Sequence, residues 1–255
     1  MTHAFLRIGR VTRYLPRVKG LSSLLSAYRR VWPAGIRLEI SDFDGNLRMS
    51  VDPTEAIGIN LWHATRQFEA EERRAFCASI KPGSVVLDVG ANIGIYTLLA
   101  AKRGARVFSI EADPKNVNSL RQNISLNHFD NVTVFPFAAC DKAGELKLFR
   151  NPSNSGGSNV FSGEPSGVIP AITIDSLNIP SIDVCKMDIE GSELSALKGM
   201  TETIARSPNM KLFIECSDRH GDTTPLLNFL HSSFSRVITT NGKEISKFCD
   251  LIAVR

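Results

Sequence analysis

Short apolar runs alternate with amphipathic stretches from residue 81 to the end of the chain. Val85 to Val89 is apolar and β-branched, as expected of a parallel strand buried on both faces, and Lys81-Pro82-Gly83 turns the chain into it. Ile95 to Lys102 reads as a helix, Ala105 to Ile110 as a second strand, Lys115 to Asn127 as a helix and Val132 to Phe137 as a third strand. Gly144 to Phe149 adds an extra strand, and structure resumes over Ile172 to Leu177. Ile182 to Met187 is the fourth core strand, Ser192 to Met200 its helix, Met210 to Ile214 the fifth strand and Leu226 to Ser233 a further helix. Arg236 to Thr240 and Asp250 to Val254 form a terminal strand pair joined through Asn241-Gly242. Strands alternating with helices in this way predict an α/β fold with a mostly parallel sheet.

The pattern differs ahead of residue 81. Ile36 to Val51 alternates apolar and polar positions around Asp44-Gly45, which predicts a hairpin with a tight turn. Thr54 to Ile80 has helical periodicity through Ile57, Leu61, Ala64, Phe68, Phe76 and Ile80. Its Trp62, His63 and Phe68 are candidates to line a cleft, with core packing the default for aromatics. Asn151 to Gly167, rich in Gly, Ser, Asn and Pro, reads as a lid or acceptor loop, or as an ordinary surface excursion. The chain thus divides into an arm (1–35), a hairpin and helical lead-in (36–80) and a main domain (81–255).

Charge sets the arm apart. Residues 1–37 carry Arg7, Arg10, Arg13, Arg17, Lys19, Arg29, Arg30 and Arg37 and no acid. That leaves 22 of the 30 basic residues against all 26 acids in the rest of the chain, a balance of −4. A mildly acidic body argues against nucleic acid as a partner. Residues 1–32 interleave the cations with apolar positions at loosely helical spacing. Three readings compete: an arm packed on the domain or on a second subunit, a segment lying on an anionic membrane, and an organellar transit peptide. The first is favoured, because most amphipathic stretches simply cover a core. Five cysteines without metal-site spacing read as reduced core thiols of a cytoplasmic protein, and no apolar run approaches the ~20 residues of a spanning helix. Membrane association would fall to the arm.

The chemistry gathers at strand ends. The first core strand runs into Asp88-Val89-Gly90-Ala91-Asn92-Ile93-Gly94, whose glycines admit unusual dihedrals and whose amides at the helix start favour an anion. A dinucleotide fingerprint needs G-x-G-x-x-G, and Asn92 breaks it. The second strand ends at Glu111-Ala112-Asp113-Pro114. Asp113-Pro114 suits a helix cap, which leaves Glu111 to accept the hydroxyls of an adenosine ribose. The fourth strand ends in Lys186-Met187-Asp188-Ile189-Glu190-Gly191-Ser192-Glu193 and the fifth in Glu215-Cys216-Ser217-Asp218, where an open α/β sheet places ligands.

The loop resembles motif I of class I S-adenosylmethionine (SAM)-dependent methyltransferases. Taken with Glu111, Ala138, Gly144 and the K-x-D-x-E-G-x-E segment, the pattern from about Lys81 onward resembles the FkbM-type family of these enzymes. Glu-Ala-Asp-Pro stands where that family commonly has Glu-Pro-x-Pro. The resemblance implies a Rossmann-like, seven-stranded, mostly parallel sheet with an antiparallel last strand and helices on both faces. It implies SAM as cofactor, bound by Asp88, Gly90, Ala91, Asn92, Gly94 and Glu111, with Ala138 beside the adenine. It also implies O-methylation of a hydroxyl on a sugar, glycan or secondary metabolite. Asp188 and Glu215 are then the candidate bases, or ligands of a divalent cation such as Mg²⁺. Glu193 reads as a helix-capping or salt-bridging residue, and Lys186 as a group that orients an acid. A noncatalytic SAM-binding scaffold and, with Asn92 against it, a nicotinamide-dependent oxidoreductase are the alternatives.

Overall fold

The computed structural model describes residues 32–151, 154–159, 164–240 and 248–255. The arm up to residue 31 and the turn at Asn241-Gly242 lie outside the described residues.

Seven strands form the central sheet: β3 (Val85–Val89), β4 (Arg106–Ile110), β5 (Val132–Phe135), β10 (Val184–Met187), β11 (Lys211–Ser217), β12 (Arg236–Thr239) and β13 (Phe248–Val254). Their order is β12-β13-β11-β10-β3-β4-β5. Neighbours from β11 to β5 are parallel, and β13 runs antiparallel to both of its partners. This is the Rossmann-like, class I methyltransferase arrangement expected. Successive strands are laid down to one side of β3 and then to the other, so β3 and β10 border the switch point where such sheets bind ligands at their carboxyl ends.

The parallel strands are apolar on both faces because each face is covered. Val86, Val107, Val184 and Phe213 pack on one side with Phe76 and Leu98. Leu87, Val89, Phe108, Ile110 and Met187 pack on the other with Leu197, Ile204 and Leu230. The covering helices are α3 (Ile95–Lys102), α4 (Pro114–Leu126), α5 (Glu193–Lys198), α6 (Thr201–Ala205) and α7 (Thr224–Ser233). Among the described residues Cys77, Cys140 and Cys185 are free thiols, and no helix is long and apolar enough to cross a membrane.

Three elements differ from the sequence pattern. The hairpin strands β1 (Leu38–Ile40) and β2 (Met49–Val51) pair as expected, and the Leu47 N–H reaches the Asp44 carbonyl at 3.5 Å across the turn at Asp44-Gly45, but the ladder stops at Ile40↔Met49 and leaves residues 41–48 as a longer connection. The connection buries Phe43 and Leu47, whose backbones bond to each other at 3.1 Å around that turn, and their burial in the core takes the place of further strand pairing. The lead-in helix breaks into α1 (Ala56–Ala64) and α2 (Ala70–Ala78). Thr65 bonds back to the Leu61 carbonyl, Glu69 takes a left-handed φ of 47°, and Arg73 donates to the carbonyls of Thr65 and Phe68. Finally, the described residues of Asn151 to Gly167 are strand, while 152–153 and 160–163 of that expected loop lie outside the described residues. A second sheet, ordered β6-β9-β7-β8, joins β6 (Ala138–Ala139), β7 (Gly144–Asn151), β8 (Asn154–Asn159) and β9 (Glu164–Ile172). β7 and β9 pair from Gly144↔Ala171 to Arg150↔Glu164, and the buried Leu148 and Ile169 anchor them. Pairing with a neighbour overrides the poor strand propensity of a Gly/Ser-rich segment.

Candidate active site

The glycine loop is shaped by the backbones around it. The N–H groups of Gly90 and Ala91 both donate to the Ile110 carbonyl, at 2.9 and 3.0 Å, tying the end of β3 to that of β4. Gly90 has φ of 83°, and a Cβ there would lie 1.9 Å from the Asp188 carbonyl oxygen. Its missing side chain therefore serves the close approach of the β3 and β10 ends as much as ligand access. Gly94, at the start of α3, lies behind the loop, where a Cβ would meet Leu120 at 2.7 Å. Asn92 takes the left-handed conformation at φ 52°, and its buried Oδ1 has no hydrogen-bond partner among the described residues.

The loop is also held by the two acids that the pattern singles out. Glu111 accepts the Asn92 N–H at 2.7 Å on one oxygen and the Asp113 N–H at 2.8 Å on the other. Burial pushes its carboxyl up to about 7, against the pull of those two N–H groups. Asp88 is buried beneath the loop and accepts from the Thr97 hydroxyl at 2.6 Å; burial raises it to about 6. Asp113 caps α4 by accepting the Lys115 N–H at 2.8 Å, with Pro114 in the first turn.

The ends of β10 and β11 carry the acidic group. One carboxylate oxygen each from Asp188, Glu193 and Glu215 lie within 4.8 Å of one another. Glu193, the first residue of α5, turns back on its own loop and accepts the N–H groups of Ile189 and Gly191, at 3.0 and 3.3 Å, so it braces the loop and does not cap the helix. Glu215 is raised to about 8, first by burial and then by repulsion from Asp188, Glu190 and Glu193. The Lys186 ammonium is buried 3.5 Å from Asp188 and 3.2 Å from Glu72 of α2. Burial works against its charge, but Glu72, Asp188, Glu69 and Asp250 outweigh that and hold it well above the usual lysine range.

A single cavity of about 660 Å³ joins these groups. Asp88, Gly90, Ala91, Asn92, Glu111, Ala138, Asp188 and Glu215 all line it, whereas Gly94 does not. Of the three lead-in candidates, Phe68 lines the cavity, while Trp62 and His63 are buried in α1 away from it. Sequence reasoning missed Glu69 and Tyr96. The first reaches the cavity only because the helix breaks beside it, and the second was legible only as the residue after the loop.

The family description Methyltransferase FkbM domain matches residues 88–239, more than half of the chain. The chain belongs to the FkbM methyltransferase family. The chain is 28% identical over 164 residues to Hexuronic acid methyltransferase AglP of Haloferax volcanii, across 63% of this chain and 68% of that protein. It is 38% identical over 121 residues to Ribosomal protein L11 methyltransferase of Burkholderia lata, across 47% of this chain and 38% of that one. Among solved structures, Methyltransferase FkbM from Methylobacillus flagellatus KT overlays with a TM-score of 0.49 at 21% identity, covering 77% of this chain and 54% of its own.

Proposed function

We propose that this FkbM protein is a SAM-dependent O-methyltransferase acting on a hydroxyl of a sugar, glycan or secondary metabolite. The observation that carries the reading is the shared cavity, whose lining includes the glycine loop, the buried acid Glu111 and the strand-end acids Asp188 and Glu215. AglP, by its name a hexuronic acid methyltransferase, adds support for a sugar-type acceptor.

The residues fit the donor. Glu111 accepts from the Asn92 and Asp113 N–H groups and, at 3.5 Å, from the Asn116 amide, which leaves acceptor capacity chiefly on Oε2 for a ribose hydroxyl. The orphaned Oδ1 of Asn92 offers an acceptor to a polar group, Asp88 lies beneath the loop, and Ala138 leaves room for a flat ring. SAM supplies a methyl group already activated by its sulfonium, so the protein's task is alignment and exclusion of water. An alcohol must also lose its proton. Asp188 and Glu215 face the cavity and are the acceptors for it, Glu215 becoming a carboxylate as pH rises through about 8. The same pair of oxygen donors suits a hard divalent cation such as Mg²⁺, which would acidify the hydroxyl.

Incubation with methyl-labelled SAM and a panel of sugars, uronic acids and polyketide alcohols tests the reading. Transfer to a hydroxyl supports it. SAM binding without transfer to any acceptor would favour a noncatalytic scaffold. Loss of activity to chelator with rescue by Mg²⁺ would assign the carboxylates to a metal, and chelator-resistant activity to direct base catalysis.

A further inference from the structure

Tyr96 follows the glycine loop and points its hydroxyl between two carboxylates. Its oxygen is 2.7 Å from Glu72 Oε2 and 2.8 Å from Glu69 Oε2. A phenol has one hydrogen, so it donates to one of these and must accept from the other, which therefore carries a proton of its own. Of the two, Glu72 is the one ion-paired with Lys186, at 3.2 Å, so the shared proton is placed on Glu69. Burial independently raises Glu69 to about 7, while burial and its two acidic neighbours hold Tyr96 well above the ordinary phenol range.

The bridge continues to the reaction point. The Lys186 ammonium sits over the Tyr96 ring, 5.2 Å from its centroid, and reaches Asp188 at 3.5 Å. The order is therefore Glu69 acid, Tyr96 hydroxyl, Glu72 carboxylate, Lys186 ammonium, Asp188 carboxylate. Glu69, Tyr96 and Lys186 line the cavity, and the Lys186 side chain is only 3% exposed. Glu69 and Glu72 lie in the helical lead-in, ahead of the residues 88–239 that match the family, and the break between α1 and α2 is what puts Glu69 there. The left-handed backbone of Glu69, unfavourable for a residue with a Cβ, is a cost that this contact offsets.

We propose that Glu69, Tyr96 and Glu72 form a proton-sharing clasp by which the lead-in fixes the Lys186 ammonium beside Asp188. They are positioning residues, and the importance of that position rests on the reading of Asp188 as a reactive acid given above. The clasp predicts an asymmetry between two substitutions of like chemistry. Glu69→Gln replaces a neutral donor with another, since an amide N–H can serve Tyr96 as the carboxylic acid does. Glu72→Gln removes the counter-charge of a buried ammonium, which is costly.

Nitrogen NMR of the Lys186 ammonium in the ligand-free full chain, assigned with Lys186→Met, reads this without an acceptor. The expected result is a slowly exchanging, shielded ammonium in wild type and in Glu69→Gln, and at least tenfold faster proton exchange in Glu72→Gln. Tyr96→Phe keeps the ring that packs edge-on against Phe76 at 5.0 Å and removes only the hydroxyl; it should also speed exchange, and it stands in if Glu72→Gln does not fold. Equal disturbance by Glu69→Gln and Glu72→Gln would overturn the shared proton. An unchanged ammonium in folded Glu72→Gln or Tyr96→Phe would overturn the clasp. Normal turnover in Asp188→Asn would sink the catalytic reading while leaving the ammonium result intact, so the two failures are separable.

Discussion

At the scale of single residues, the site is built from groups that hold each other as well as a ligand. Glu111 gives both oxygens to loop N–H groups yet remains in the cavity wall. Glu111→Ala should weaken SAM binding by at least ~10-fold, the scale of one or two lost hydrogen bonds to a charged group. Calorimetry on the folded variant checks this, and unchanged affinity would remove the ribose assignment. Gly90 makes a poor companion probe. Gly90→Val, which the loop pattern alone suggests as a simple block of the ligand space, drives its Cβ into the Asp188 carbonyl and should destabilise the fold itself. Asp188 is the cleaner test of chemistry. Its side chain is 40% exposed toward the cavity. Asp188→Asn keeps its shape, so SAM affinity should change little while turnover falls by ~100-fold or more. The wild-type rate should rise with pH through about 8 as Glu215, raised by burial and its acidic neighbours, gives up its proton. A rate flat from pH 6 to 9 would remove Glu215 as the base.

At the scale of elements, the hairpin is tied to the glycine loop by one side chain. The buried Asn123 of α4 accepts the Ser50 N–H at 2.7 Å and donates to the carbonyls of Ser50 and Ile93, at 3.2 and 2.8 Å. Asn123→Ala would take the partner from the Ser50 N–H and the Ile93 carbonyl, while Arg37 still serves the Ser50 carbonyl, and should cost about 2–4 kcal/mol, read as a lowered midpoint in urea with an unchanged slope. The parallel strands and their helices were legible because a strand buried on both faces has few ways to be written: Val85 to Val89 and Ile182 to Met187 admit little else. Local signals failed where long-range contacts decided. Asp44-Gly45 marks the turn correctly but not the length of the ladder, which stops short because two apolar side chains of the same connection reach the core. Asn151 to Gly167 has a loop's composition, and only the partner strand makes it a ladder. The periodicity of Thr54 to Ile80 carries no mark of the break at Glu69, which depends on Arg73 reaching back to satisfy two carbonyls.

At the scale of the whole molecule, the carboxyl end of the sheet gathers the acids while the basic arm precedes every motif. Trp32 is buried in the core and Ile36 packs against the same cluster, so a truncation that keeps this packing must keep Trp32 as well as the hairpin. A chain starting at Trp32 should keep the SAM affinity of the full protein; loss of binding with the fold intact would make the arm part of the site. The candidate residues were legible because ligand chemistry concentrates at strand ends that the sheet order brings together. What stayed hidden was the lead-in's share, since Glu69 and Glu72 carry no motif and reach Tyr96 and Lys186 only through tertiary packing.

The most direct test is a calorimetric titration of the full-length protein with SAM and, in parallel, with NAD. The glycine loop with Asn92 at its centre and the acid at 111 predict one saturable SAM site per chain and no heat from NAD. Saturable NAD binding, or no binding of SAM to the folded protein, would contradict it.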